Sequence, residues 1–438
     1  EDPMQKLDAT LSRRRLLGYG ATAGAAGLAG VRPVSRTGAQ DSVEVRLALY
    51  ETNDQWAETF GAVIEGFQEA TPGVTVKLEY RPGDQYWDKI QTEFAADTAP
   101  DVTVNQMDWI VPGAARGMFE NLSPFVERDE VDLSQYWYSH SLEWEWDGGL
   151  YGGLLYAGGQ VLFVNTDLLD AAGIPFPTPE WTWDDLRSAA IEMTDPANNQ
   201  WGLHFDNINP PYWGSAFIHG AGGTVLNDTL DACTLTSPES QAGLQFLYDL
   251  INVDKVMPVP GSMEGQENPF ITGKVALFFG GTWNEVAIRS AGFNWDFAHM
   301  PLHPTTGTRS VQMGSNAWSM LSTSDHKEES WQLIKYLMTE PGQRGIMSLG
   351  IPGITSLIES EEFKELHGPQ DISVTVSDLQ TSGHNYYGTP DANEWWNAVE
   401  QELAPMWAGE DDVATATARV CDRIDEIFSR RPPEFQTG

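Results

Sequence analysis

Asn268–Trp318 reads NPFITGKVALFFGGTWNEVAIRSAGFNWDFAHMPLHPTTGTRSVQMGSNAW, and its order of signals decides the fold. Lys274 to Phe279 is an apolar run of β-branched and aromatic residues closed by Gly280 and Gly281, which predicts a buried strand. Thr282 followed by Glu285 has the spacing of a capping box, so a helix is expected to start there with Trp283 in its first turn. In open α/β sheets ligands bind beyond the carboxyl ends of strands, which places Trp283 at a cleft. Phe293, Trp295, Phe297 and His299 alternate as a second strand, and a Gly/Thr-rich turn leads on to Gly314-Ser315-Asn316-Ala317-Trp318.

Toward the N-terminus the same grammar repeats. VEVRLALY from Val43 alternates as a strand, and a helix carrying Trp56, Phe60, Val63, Ile64 and Phe67 follows a Thr52–Gln55 capping spacing. Val74, Val76, Leu78 and Tyr80 form strand two, Tyr86, Ile90 and Phe94 mark a second helix, and Val102 to Val104 is strand three. Strand, helix, strand, helix, strand predicts a parallel α/β sheet with right-handed crossovers. Glu51 and Asp54 lie just past the first strand, and Gln106, Asp108 and Trp109 just past the third, where clefts form. Trp109 also has a plain reading as a core residue under the next helix; the polar residues beside it favour the cleft.

In the middle, Leu150 to Tyr156 and Gln160 to Asn165 read as two strands, the second ending at a Thr166-capped helix. Thr182 with Asp185 predicts another capping box, Ser237-Pro238 another helix start, and Ser324 a third. The aromatic, glycine-rich segment from Ile208 to Gly223 lacks the glycine spacing and lysine of a phosphate loop and reads as a ligand-facing loop. Val413, Ala416, Val420, Ile424 and Ile427 form one apolar helical stripe, a packing feature.

A chain of 438 residues exceeds one compact core, so two domains are expected. Acidic residues outnumber basic ones 63 to 25 and no basic cluster occurs outside the N-terminus, which makes nucleic acid and anionic membrane surfaces poor partners. The acidity reads as a soluble, self-repelling surface, or as adaptation to high salt. Residues 1–40 contain Ser12-Arg13-Arg14-Arg15-Leu16-Leu17 ahead of a weakly apolar segment, the pattern of a twin-arginine export signal. No cysteine precedes Cys233, so a lipobox anchor is not expected; Cys233 and Cys421 can equally be bridged or free.

The ordered segments APDVTVNQMDW, GGLLYAGGQVLFVNTDLLDAAGIPFPTPEWTWDDL, FITGKVALFFGGTWNEVAI, GSNAWSM and HKEESWQLIKYLMTEPGQ resemble the family 1 extracellular solute-binding proteins of ABC importers, the maltose-binding type. The resemblance spans about residues 43–430. It implies an exported, monomeric, two-lobed α/β receptor without catalysis, cofactor or metal, whose lobes are mostly parallel sheets flanked by helices and joined by crossing hinge segments. Residues 41–157 plus 315–350 would form one lobe, and 158–312 plus 353–438 the other. Ligand would be trapped between them and delivered to membrane permease subunits. By the same resemblance Glu51, Asp54, Asp108 and Trp109 belong to the first lobe's cleft loops and Tyr156 to a hinge. Tyr212 and Trp213 match the second lobe's aromatic loop, Trp283 its stacking tryptophan, and Trp395 and Trp396 a late aromatic pair. His219-Gly220-Ala221 lacks the acid often found before that loop's glycine pair.

The residue types point to sugar. A pyranose presents a C–H face that stacks on an indole, and its hydroxyls need planar amides and carboxylates to replace water. The expected cleft loops contain no Arg or Lys, which disfavours anionic ligands. Two alternatives remain: a secreted carbohydrate-active enzyme, for which Glu143, Glu145 and Asp147 offer carboxylates, and a binding protein for a non-sugar solute. Tyr386-Tyr387 is similar to the tyrosine pair of ferric-binding relatives, but two packing or sugar-contacting aromatics are the simpler reading.

Overall fold

A computed structural model describes residues 42–50, 54–137, 144–262, 267–432 and 435. The export signal expected at 1–40, the Thr52 cap, Glu51 and Glu143 lie outside these residues. Eleven strands run in chain order: β1 Val43–Tyr50, β2 Val74–Arg81, β3 Val102–Gln106, β4 Glu145–Trp146, β5 Gly149–Leu150, β6 Gly153–Asn165, β7 Trp201–Phe205, β8 Val275–Gly281, β9 Trp295–Ala298, β10 Val311–Met320 and β11 Gly383–His384. The main sheet has the order β2-β1-β3-β10-β6-β8-β7, with β11 added to β10 and β9 to β6. Its flanks are parallel, β1 with β2 and β3, and β7 with β8. Its centre is antiparallel, because β10 runs against both β3 and β6, and β6 against β8.

β6 is one uninterrupted strand where the sequence predicts two. All of its residues are buried. Gly153 to Gly159 pair with β10, and Gln160 to Asn165 pair with β8 and β9, so the strand changes partners without ending. The Gly158-Gly159 pair, a turn signal in sequence, is here a close approach. A Cβ on Gly158 would fall 2.7 Å from the Gly314 carbonyl oxygen, and one on Gly159 2.8 Å from that of Gln312. Only glycine lets the two backbones cross so closely.

Helix caps follow the sequence in some places and depart from it in others. Thr182 and Asp185 cap helix Trp183–Met193 reciprocally, and Ser237 caps Pro238–Asn252. Helix Thr166–Ala172 is capped by Asn165, not Thr166. Ser324 hydrogen-bonds Asp101 and the His326 N–H, and helix Lys327–Met338 begins without a side-chain cap. The Thr282–Glu285 capping box does not form. Instead the Gly281 N–H donates to Asn284 Oδ1 at 2.7 Å, and buried Glu285 turns inward to His367 Nδ1 at 2.7 Å and Arg289 at 2.9 Å. A buried carboxylate is better satisfied by those charged and polar partners than by one exposed helix N–H.

The apolar stripe of helix Val413–Ser429 is buried as expected, and its Cys421 is bonded to Cys233. The disulfide therefore fastens this helix to the turn that precedes helix Pro238–Asn252.

Candidate ligand-binding site

Parallel strands end together, and the loops beyond their carboxyl ends enclose a cleft of about 480 Å³. Tyr50 closes β1 and Gln106 closes β3; Tyr156 comes from β6 and Asn316 from β10. Opposite them stand Asp206, Asn207, Tyr212 and Trp213 from the segment between β7 and helix Gly214–Gly220, Trp283 just past β8, and Tyr386 just past β11. This is the strand-end location that the sequence assigned to ligand.

One wall is polar. The Asn316 side-chain amide donates to Tyr156 Oη at 3.1 Å and also to Tyr50 Oη. Burial raises the pKa of both phenols, Tyr50 well above its usual value, so both stay neutral and keep hydroxyl donors in the cleft. The other wall is aromatic: Trp283, half-buried, tilts against Trp213 with ring centroids 5.6 Å apart.

Two further cavities adjoin the cleft. One of about 240 Å³ shares Tyr212 with it and is lined by Trp87, Asp108, Trp109 and Trp396 among others. Another of about 600 Å³ shares Asp206 and Asn207 with the cleft, and Asn209 and Glu400 with the smaller cavity. Among the described residues no Lys or Arg lines any of the three. Desolvation raises the Asp108 carboxyl to a pKa of about 7. Asp206 is open to cleft water but crowded by the walls, and desolvation raises its pKa against the opposing hydrogen bond from Asn284.

Of the residues singled out by sequence, Gln106, Tyr156, Tyr212, Trp213, Trp283 and Asn316 meet in the cleft, and Asp108, Trp109 and Trp396 in the cavity next to it. Trp109 is already stacked on Trp87 and Tyr86, with centroids 5.4 and 5.7 Å away. Asp54 is exposed and lines none of these cavities. Trp395 is wholly buried, its Nε1 donating to Thr389 Oγ1 at 2.8 Å, and belongs to the core. Successive residues on a helix point about 100° apart, so of this adjacent pair on helix Ala392–Trp407 only Trp396 reaches a cavity. Glu145 is exposed in the β4–β5 hairpin, away from all three cavities.

Sequence reasoning missed Tyr50, Asp206 and Asn207, although the strand-end rule applied to VEVRLALY and WGLHF would have found them. It also missed Trp87, Asn393 and Glu400, which no local pattern marks, while Asn209 lies in the segment from Ile208 to Gly223 read as ligand-facing. The tyrosine pair divides: Tyr386 stacks on Trp396 at 5.2 Å and lines the cleft, while the Tyr387 hydroxyl meets His219 Nε2 at 2.9 Å and accepts from the Val225 N–H. Among the described residues no group of three or more His, Cys, Asp or Glu side chains is placed to hold a metal ion.

Behind the cleft wall His219 and His384 lie with ring centroids 3.9 Å apart. Burial lowers His219 to about 4; burial and then repulsion from His219 push His384 well below its usual value. Both are bases with depressed folded-state pKa values, so below about pH 6.5 the unfolded chain binds protons that the folded one refuses, and stability falls with pH. Asp108, whose folded pKa is raised, works in the opposite direction over the same window. Replacing His219 with Gln should therefore flatten the dependence of unfolding free energy on pH between 6 and 5 by up to about 1.4 kcal/mol per pH unit. Denaturant titrations at those two pH values check it, and an unchanged slope would show that His219 is not held neutral.

The profile of the family described as bacterial extracellular solute-binding protein matches residues 62–368. A putative binding protein of Brucella abortus is 25% identical over 320 residues, covering 71% of this chain and 75% of its own. The maltotriose-binding protein of Pyrococcus abyssi is 22% identical, with coverage of 70% and 66%. Among solved structures, an ABC substrate-binding protein of Listeria monocytogenes in complex with cycloalternan superposes with a TM-score of 0.81 at 22% identity, over 89% of this chain and 100% of that one. The likeness is to the two-lobed α/β fold expected from the sequence.

Proposed function

This chain belongs to the bacterial extracellular solute-binding protein family, and we propose that it captures a sugar or oligosaccharide between two lobes by hinge closure and delivers it to the permease of an ABC importer. The observation that carries this reading is the composition of the cleft. The half-buried indole of Trp283, backed by the buried Trp213, lines the cleft together with a neutral cluster of Tyr50, Tyr156 and Asn316, and among the described residues no cationic side chain is on the lining. Indoles supply stacking faces, and the phenols and amide exchange hydrogen bonds with sugar hydroxyls. The names of two relatives agree, one a maltotriose-binding protein and one solved with cycloalternan.

The lobes are residues 41–157 plus 315–350, and 158–312 plus 353–438. Support comes from the partner change along β6 at Gly159–Gln160, and from the Ile351 carbonyl, which accepts from the Ala157 N–H at 2.8 Å where a third crossing would lie beside the first. The chain works as an exported monomer without catalysis. No helix among the described residues is long and apolar enough to cross a membrane.

A thermal-shift screen against a saccharide panel tests the function. A ligand at a hundred times its dissociation constant stabilises the native state by about 2.7 kcal/mol. Stabilisation by one saccharide class without turnover of matched chromogenic glycosides is the expected result. Turnover would favour the enzyme, and indifference to every saccharide would favour a non-sugar solute.

A further inference from the structure

The cavity of about 240 Å³ beside the main cleft is built differently from the cleft itself. Its walls are aromatic: Trp87 and Trp109 stack with their planes nearly parallel, 6° apart, and Tyr212 meets Trp396 edge to face with centroids 5.1 Å apart. Its polar groups are carboxyls and amides, Asp88, Asp108 and Glu400 with Asn209, Asn393 and Asn397. Burial raises the pKa of the Tyr212 phenol, and Asp108 and Glu400, both on the lining of this cavity, add to the rise.

Asp108 is the unexplained group. Its Oδ1 is buried and has no hydrogen-bond partner among the described residues. The obvious donor is otherwise committed: with its amide turned to satisfy both neighbours, Asn393 donates to the Asp108 backbone carbonyl at 2.7 Å and accepts from Trp87 Nε1 at 3.2 Å. Helix Met107–Ala115 contains no Lys or Arg, and Arg116 at its end donates to the carbonyls of Pro112 and Pro390, both at 2.9 Å. The helix N-terminus favours a carboxylate in its first turn, but by too little to replace a missing partner. A carboxyl withdrawn from water needs donors or a positive charge, and here the described residues supply only the backbone N–H of Asp108 itself, leaving Oδ1 unsatisfied and no cation beside it.

We propose that this cavity is a subsite for a protonated amine, and hence that the saccharide taken up carries an amino group. The ammonium would sit against Asp108, with the quadrupoles of Trp87, Trp109 and Trp396 around it and Glu400 at the rim, while the neutral part of the ligand lies in the adjoining cleft across Tyr212. A neutral hydroxyl can also donate to Asp108, but it brings no positive charge to hold the carboxyl in its ionised form. This inference rests on the saccharide reading of the cleft.

Calorimetric titration near pH 7 with matched pairs tests it: glucosamine against glucose, galactosamine against galactose, and the β-1,4-linked glucosamine dimer against cellobiose. At least one amine should bind about tenfold or more tighter than its neutral parent. In Asp108→Asn, which keeps shape and removes charge, the ratio of amine to parent affinity should fall to about one, whatever the variant does to both, with the melting temperature confirming that the variant is folded. Equal binding of amine and parent by the unaltered protein overturns the amine subsite and leaves the saccharide reading intact. A preference that survives in Asp108→Asn overturns the assignment to this cavity. Failure of every saccharide to bind removes both.

Discussion

Truncation of Trp318 to alanine is expected to cost about 3 to 5 kcal/mol of folding stability, the usual penalty for emptying a large buried aromatic site. Trp318 is wholly buried on β10, pairs with Val104 of β3 and Gly153 of β6, and packs edge to face against Phe60 with centroids 5.7 Å apart. Its indole therefore joins the helix Asp54–Ala70 to the middle of the sheet. Urea denaturation reads the loss directly as a lower midpoint with an unchanged slope. A shift under about 1 kcal/mol would mean that the site is not the packed interior described here.

Trp283, from the same stretch of sequence, should behave in the opposite way. It is half-buried, touches Trp213 and faces the cleft, so Trp283→Ala is expected to remove about 1 to 3 kcal/mol of ligand binding, up to about two decades in affinity. Its folding cost should be clearly below that of Trp318→Ala, because less apolar surface is returned to water. Calorimetry on the folded variant together with its denaturation midpoint separates the two effects. A strongly destabilised Trp283→Ala whose folded fraction binds normally would move this indole from the site to the core.

The contrast between these two tryptophans shows what the sequence carries. Strand ends were legible because the apolar runs stop abruptly at Gly280-Gly281, at Gln106 and at Tyr50, and each parallel flank of the sheet, β1 with β3 and β7 with β8, brings its own carboxyl ends to the cleft. Gln106 and Trp283 could accordingly be named without coordinates, whereas Tyr156, inside β6, was named only through the family resemblance. Three-dimensional pairing was less legible. Gly158-Gly159 carries the local signature of a turn, and only the proximity of β10 makes it the middle of a strand. Thr282 and Glu285 have the spacing of a capping box, yet Glu285 finds His367, 82 residues away in sequence, a partner that no local window contains. Trp395 and Trp396 look alike as neighbours in sequence, and their separation into core and cavity depends on which face helix Ala392–Trp407 buries. Trp87, Asn393 and Glu400 are functional candidates only because two distant helices, Tyr86–Ala95 and Ala392–Trp407, converge on Asp108 and Tyr212.

The geometry also gives closure a physical cause. A saccharide that touches Trp283 on one side and Asn316 or Tyr156 on the other makes contacts that separated walls cannot offer together, so binding shifts the population toward the closed form. Small-angle X-ray scattering with and without a saturating saccharide found in the thermal screen tests this most directly. The account predicts a smaller radius of gyration in the bound protein, reached at the same ligand concentration that saturates binding. Tight binding with identical scattering curves would contradict capture between moving lobes.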